Sequence, residues 1–339
     1  MPLDVDFRIP FPHRCSPDLD RTRAHNLDWL RGHCLITSDE EADRYLSTRM
    51  AEAVAYAYPD ARGADLDLAT DLNAWFVVCD DLFGDPQAAL APEADDIVHG
   101  CARVLEGATT TEPAHPVVRA LDDVCTRVAH GMSTSWCREF RDGLGDFLRA
   151  SREEALRGTP HTPLTVQEYR ELRMRSIATR TYFAFTQRTG HFELPALVLT
   201  APAVVTLQNL GHEIVAFIND VYSLEVEEHQ GYPHNMITVI QHERGCSRAD
   251  ACAAVLAEIR TLTQHFITEE AALPRLCEEL GLNAAHRRDV TRYVQGIRDV
   301  IAATRDWSPL CSRYHTDQLA ASGHRGRSGL RSDAAAAHE

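Results

Sequence analysis

Two clusters of oxygen-bearing side chains stand out because each closes an apolar run. Asp80-Asp81-Leu82-Phe83-Gly84-Asp85 follows Trp75-Phe76-Val77-Val78-Cys79. Carboxylates in such a setting are costly unless paired or metal-bound. Hard divalent cations such as Mg²⁺ take oxygen ligands, often one or two carboxylates plus the phosphates of a substrate. Asp81 and Asp85 share a face if the helix continues, with Asp80 one step off. Gly84 and Pro86 favour a helix end instead, where the same residues read as a solvated acidic terminus. The second cluster is Asn219-Asp220-Val221-Tyr222-Ser223-Leu224-Glu225-Val226-Glu227. Asn219, Ser223 and Glu227 fall at i, i+4 and i+8, on one helical stripe about 80° wide. An amide oxygen, a hydroxyl and a carboxylate on one stripe can hold one Mg²⁺ and leave places for phosphate oxygens. The plain alternative is a polar face on a surface helix. The preceding Ile214-Val215-Ala216-Phe217-Ile218 favours burial, where polar groups need partners. A third motif, Trp307-Ser308-Pro309-Leu310-Cys311-Ser312-Arg313-Tyr314, sets an arginine beside a tyrosine. That pair can donate several hydrogen bonds to a phosphate, although alone it reads as a packed turn with an exposed arginine.

The elements that must position these groups are helical nearly throughout, and strand signals are almost absent. Ser16-Pro17 and Ser38-Asp39-Glu40-Glu41 read as helix starts, the second with Glu41 at the capping-box position and a helix running to Tyr58-Pro59. Gly63 precedes a long helical segment that runs through Phe83 and is stopped by Gly84 and Pro86. Further helical stretches are expected over 86–106, 114–132, 134–157, 165–189, 195–209, 209–229, 232–244, 247–281 and 283–306. Ala108–Pro116 and Gly158–Leu164 are Pro/Thr-rich loops. The stretch from about Ala321 to the end is polar and Arg-dotted, and reads as a disordered tail, 321–339. One domain, 1–320, is expected, because the motifs lie on both sides of the 158–164 loop and must converge.

Composition bounds the chemistry. The chain has 339 residues, 44% hydrophobic and 25% charged. That is enough to bury a sizeable core. A net charge of −16 argues against a nucleic-acid or anionic-membrane binder. All 34 basic residues are Arg, which removes Schiff-base chemistry and a P-loop lysine. The ten Cys form no CxxC pair, so zinc-ribbon and thioredoxin-like sites have no support. Free thiols and an N-terminal segment without an apolar core point to the cytoplasm. The most apolar stretch, Leu194 to Leu207, is shorter than the about 20 residues that cross a bilayer. His212-Glu213 suggests a zinc hydrolase, but the HExxH pattern needs His where Ala216 stands.

Taken together, the three motifs resemble those of the class I terpene synthases: an aspartate-rich motif, an N-D-x-x-S-x-x-x-E triad well downstream, and a terminal Arg-Tyr pair. The separation of Asp80 from Asn219 also matches the family. The resemblance runs from Phe11-Pro12 to Tyr314. It implies a diphosphate-sensing arginine upstream of the triad Asn, at the position that Arg173 holds here. It further implies that Ser176 and Ile177 link Arg173 to a helix break beside the bound allyl group. Two departures stand out. The aspartate motif is DDxxxD, with Gly84 where a DDxxD pattern has its last Asp. Val226 stands where the family usually has Lys or Arg against diphosphate, so weaker diphosphate binding is expected.

The resemblance implies a single-domain, all-α bundle around a central cavity. It implies three Mg²⁺: two on Asp80 with Asp81 or Asp85, and one on Asn219, Ser223 and Glu227. Arg173, Arg313 and Tyr314 would bind the diphosphate. Phe76, Phe83 and Trp307, with Tyr182, Phe183 and Phe185 as further candidates, could offer aromatic faces to a carbocation. The expected activity is ionisation of a prenyl diphosphate, with farnesyl ahead of geranylgeranyl and geranyl diphosphate, and cyclisation to a hydrocarbon or alcohol. No nucleic acid and no stable membrane insertion are expected, in a monomer or homodimer. A prenyl-chain elongating synthase fits less well, because there is no second DDxxD and no Lys. An inactive helical relative is the non-enzyme alternative.

Overall fold

The computed structural model describes residues 5–83, 91–110, 114–157 and 164–315. Asp85, most of the 158–164 loop and the 321–339 tail lie outside them. Among the described residues every regular element is helical. The helices are α1 (Leu19–Gly32), α2 (Asp39–Ser47), α3 (Met50–Ala57), α4 (Gly63–Phe83), α5 (Pro92–Leu105), α6 (Pro116–Val128), α7 (Thr134–Arg157) and α8 (Val166–Ser176). They continue as α9 (Thr179–Gly190), α10 (Ala196–Leu199), α11 (Pro202–Gln230), α12 (Met236–Arg244), α13 (Arg248–Ala271), α14 (Leu273–Glu279) and α15 (Ala284–Trp307). Two short 3₁₀ turns, Ser308–Leu310 and Ser312–Tyr314, follow.

Local chemistry starts and stops these helices. Ser38 and Glu41 form a reciprocal capping box at α2, as the sequence predicts, and Thr165 and Glu168 form another at α8. Pro92, Pro116 and Pro202 open α5, α6 and α11, where a missing N–H costs nothing. Gly231 and Gly245 end α11 and α12 in the left-handed region, at φ 68° and φ 60°. Glycine takes that conformation without the Cβ clash that other residues suffer.

Helix contacts close a ring in the order α4, α3, α15, α11, α8, α7 and back to α4. α9 touches α4, α7, α11 and α15, which lie on different sides of that ring, so it crosses one end and forms a floor. α1, α5 and α6 cover the outside near α4, and α12 and α13 cover α8 and α11. α4 is buried without interruption from Leu66 to Cys79, as befits a helix packed on all sides. Its charges are paired: Asp71 accepts hydrogen bonds from Arg127, His25 and Asn26 at 2.8–3.0 Å.

Five expected boundaries are corrected, one of them the 195–209 stretch, which breaks at Thr200–Ala201 between α10 and α11. The 38–58 helix breaks at Arg49, which sits at φ 55°. The 165–189 stretch breaks after Ser176, with Ala178 at φ 59°. The 247–281 stretch divides at Ala272. Conversely, no boundary falls at 209, because α11 runs unbroken from Pro202 to Gln230. Gly211 is there for packing: a Cβ would lie 2.6 Å from Ile297 on α15 and 3.0 Å from the Phe183 ring. Overpacking of this kind destabilises by about 1–3 kcal/mol. Gly211→Ala is expected to lose that much, read as a lower urea midpoint with an unchanged denaturant slope.

Candidate active site

The ring encloses a cavity of about 230 Å³. The three motifs meet on its wall, carried by different helices. Asp80 comes from the last turn of α4, Asn219, Ser223 and Glu227 from α11, Arg173 from the end of α8, and Arg313 and Tyr314 from the final 3₁₀ turn. Ser176, Ile177, Phe76, Phe83, Tyr182 and Trp307 also line it. Phe183 and Phe185 do not; both are fully buried in the core. Asp81 is not on the wall either: its side chain is covered and lies 3.3 Å from Arg313. Val226 is fully buried and off the wall, so the missing basic contact is not replaced there.

The polar groups are bonded across the cavity. Arg173 Nη2 donates to Asn219 Oδ1 at 2.6 Å, and Asn219 Nδ2 donates to the Tyr314 hydroxyl at 2.6 Å. Arg313 donates to Asp80. Arg173 also faces Asp220 at 3.4 Å and Glu154 at 3.7 Å. Burial works against the Arg173 charge, but Tyr169, Asp220, Glu154 and Glu227 outweigh it and hold its proton firmly. Burial likewise opposes the charge on Arg313, and Asp81 and Asp80 overcome it.

One group on the α11 stripe is left over. The Ser223 Oγ is buried, its residue only 2% exposed, and has no protein hydrogen-bond partner. It stands one turn from Asn219 and one from Glu227. Among the described residues, no three His, Cys, Asp or Glu side chains gather as a metal-holding group. The α11 set instead combines one carboxylate with an amide and a hydroxyl, a hard all-oxygen donor set that fits Mg²⁺. Its charge also calls for a cation. Asp80, Glu154 and Glu227 face the cavity against Arg173 and Arg313 alone. That balance is unfavourable for an anionic substrate unless divalent ions invert the field.

The match to known proteins agrees with this geometry. Residues 71–265 match the family model of terpene synthase family 2, C-terminal metal binding. Pentalenene synthase of Streptomyces avermitilis is 33% identical over 96% of this chain and 97% of its own length. The chain belongs to the terpene synthase family. A second relative, the 7-epi-alpha-eudesmol synthase ((2E,6E)-farnesyl diphosphate cyclizing) of Streptomyces viridochromogenes, is 31% identical over 93% of each chain. The crystal structure of linalool/nerolidol synthase from Streptomyces clavuligerus superposes with a TM-score of 0.80 at 27% identity, covering 90% of this chain and all of the other. The α-helical ring is thus a terpene synthase fold, and the enzyme class is lyase acting on diphosphate substrates.

Two residues that shape the site of this terpene synthase, one on the wall and one behind it, escape a motif-based reading. Phe147 from α7 packs edge-on against Phe76 at 4.8 Å. Asn235 caps α12 and donates to Glu227 Oε2 at 2.8 Å, fixing that carboxylate. Its signal in the sequence is an Asn just before an apolar helix. No helix among the described residues is long and apolar enough to cross a membrane.

His212, the remnant of the zinc-hydrolase alternative, packs against the Phe183 ring at 4.9 Å and is buried. Burial, with Arg180 adding to it, lowers its pKa to about 3. The folded state keeps it neutral, while the unfolded chain takes up a proton below about 6.5. Stability is therefore lost as pH falls from about 6.5 towards 3, by about 2 kcal/mol at pH 5. His212→Leu is expected to flatten the acid limb of a urea-midpoint-against-pH curve over that window, whatever it does at pH 7.

Proposed function

We propose that this chain is a Mg²⁺-dependent cyclase of farnesyl diphosphate. The observation that carries the reading is the unpartnered Ser223 hydroxyl, buried between Asn219 and Glu227 and facing a cavity that Asp80, Arg173 and Arg313 also line. Asn219, Ser223 and Glu227 would hold one Mg²⁺, and Asp80 with Asp81 or Asp85 two more. When bound, these ions would stabilise the negative charge that develops on the departing diphosphate. The farnesyl chain is favoured because that substrate stands in a relative's name and the family match spans both chains nearly end to end.

The chain's own residues supply the rest. Arg173 and Arg313 bind the diphosphate by charge-assisted hydrogen bonds, and the Tyr314 hydroxyl adds a donor. To do so the arginines exchange their present partners, Asn219 and Asp80, for phosphate oxygens. The side chains they release are the ones that would then ligate metal, so binding of anion and cation support each other. Phe76, Phe83, Phe147, Tyr182 and Trp307 exclude bulk water and turn aromatic faces and edges to the cation. Ser176, Ile177 and Ala178, at the break between α8 and α9, line the same wall.

Purified protein with Mg²⁺ and, separately, geranyl, farnesyl and geranylgeranyl diphosphate is expected to give a C15 product by gas chromatography–mass spectrometry, and none with EDTA. A product from another chain length would overturn the substrate assignment; none from any would overturn the activity. Ser223→Ala separates site from scaffold. Its hydroxyl bonds to no protein group, so unfolding free energy is expected to hold or to rise when that unpaired group is removed. Turnover should fall at least about a hundredfold, since even outer-shell partners of a metal cost about 10–100-fold. Mg²⁺ with inorganic diphosphate is expected to raise Tm in the parent chain, by about 2.7 kcal/mol of linkage at a hundred times Kd.

A further inference from the structure

The cavity wall is not apolar at the end remote from the diphosphate groups. The lining residues of α11 and α15 farthest from that side are Val215 and Val300. On α4 the corresponding residue is Asn73. It stands seven positions before Asp80, and so about 10 Å further along the helix axis. Asn73 is only 5% exposed. Its Oδ1 accepts a hydrogen bond from the Tyr182 hydroxyl on the floor helix α9, and its Nδ2 has no protein partner. Turning the amide over would exchange the two atoms and still leave one of them unpaired. Thr179, one turn before Tyr182, is 2% exposed, lines the same cavity, and has an unpartnered Oγ1.

A buried amide or hydroxyl left unpaired forfeits the hydrogen bond it made to water in the unfolded chain, a cost comparable to many whole mutations. The hydrocarbon chain of a prenyl diphosphate carries neither donor nor acceptor, so the substrate cannot satisfy these atoms. Water can. One water needs roughly 10–15 Å³ and as few as two polar partners. The cavity, at about 230 Å³, far exceeds that volume.

We infer that Asn73 and Thr179 hold a water at the floor of the cavity and deliver it to the final carbocation, so that the product is a terpene alcohol. This rests on the function proposed above. The Asn73 N–H occupies one lone pair of the water oxygen, and the Thr179 oxygen accepts one of its protons. The second lone pair forms the C–O bond to the cationic carbon, and the resulting oxonium gives up the proton it shares with Thr179 to water, which carries it to solvent as the product leaves. No electrons are gained or lost overall. Tyr182 is the positioning residue. Its hydroxyl fixes the amide, its backbone carbonyl accepts from the Tyr58 hydroxyl at 3.0 Å, and its ring stacks on Phe76. Burial raises its phenol pKa, so it stays a neutral donor.

The test is turnover of farnesyl diphosphate in H₂¹⁸O, with released diphosphate and all organic products measured. The parent enzyme is expected to give mainly an alcohol carrying ¹⁸O, other than the primary alcohol of simple ester hydrolysis. Asn73→Leu and Thr179→Val, each close in volume, are expected to lower the alcohol-to-hydrocarbon ratio at least tenfold. The ratio is read independently of total rate, and the threonine variant stands if the asparagine variant does not fold. Diphosphate release with only hydrocarbon from the parent enzyme would overturn this inference and leave the cyclase reading standing. So would an alcohol share unchanged in the folded variants. Absence of diphosphate release from the parent enzyme would instead take down both.

Discussion

A carboxylate with no access to water organises the site. Asp220 is fully buried, and it accepts from the Tyr169 hydroxyl at 2.7 Å and the Met236 amide at 3.0 Å while facing Arg173 at 3.4 Å. Burial pushes its carboxyl pKa up, against the pull of Arg173, the Tyr169 hydroxyl and the Met236 amide. A buried charge is tolerated only when its partners hold good geometry. Satisfying Asp220 therefore fixes α8 through Tyr169 and Arg173, and the start of α12 through Met236. Asn235, which donates to the Asp220 carbonyl at 2.7 Å, extends the same network to Glu227. Its sequence neighbour Asn219 then lines the cavity. One interior ion pair sets the orientation of two groups on the wall.

The second constraint is charge at the mouth. Carboxylates outnumber arginines there, yet the fold leaves neither arginine idle: Arg173 sits on Asn219 and Arg313 on Asp80. These pairings give Asn219 Oδ1 and Asp80 a partner without ligands, while Arg173 Nε and Arg313 Nη1 stay buried and unpartnered. They also make the site responsive to its ligands. A polyanion competes for the arginines and a divalent cation for the oxygens, so either alone breaks favourable contacts, whereas both together replace them. That coupling follows from the pairing pattern and needs no movement beyond side-chain exchange.

The chemistry is more legible in the sequence than the course of the chain. Asn219, Ser223 and Glu227 can be read because polar residues at i, i+4 and i+8 inside an apolar helix are expensive, and the expense points to a purpose. The family match agrees with the fold and with the activity class. What cannot be read is set by tertiary contact. Ala178 and Arg49 take left-handed backbone conformations that their residue types do not advertise. Gly211 looks like punctuation but serves a close crossing with Ile297. Asp81 differs from Asp80 only in its rotation about α4, which sends it under Arg313 rather than into the cavity. Asn73 gives no sign of itself, because Asp67, Thr70 and Asp71 are buried on the same helix and nothing in the sequence separates the one that faces the cavity.

Asp80 and Asn73, two turns apart on α4, illustrate why polar groups in such a cavity must be kept apart. Ionisation needs strong fields from charged groups at the mouth, where Asp80 is still largely exposed. A water held at that end would meet the first allylic cation and stop the reaction before any ring closed. Neutral groups at the floor, separated from the mouth by about two helical turns, act only on a cation whose charge has migrated down the cavity. Phe76 lies between the two on the same face, one turn from each, with its ring stacked on Tyr182 and edge-on to Phe147. Its aromatic surface can carry positive charge along that path without offering a nucleophile. If the proposed reaction holds, the order charged, aromatic, neutral polar along one helix is also an order in time: departure of the leaving group, migration of charge, and termination.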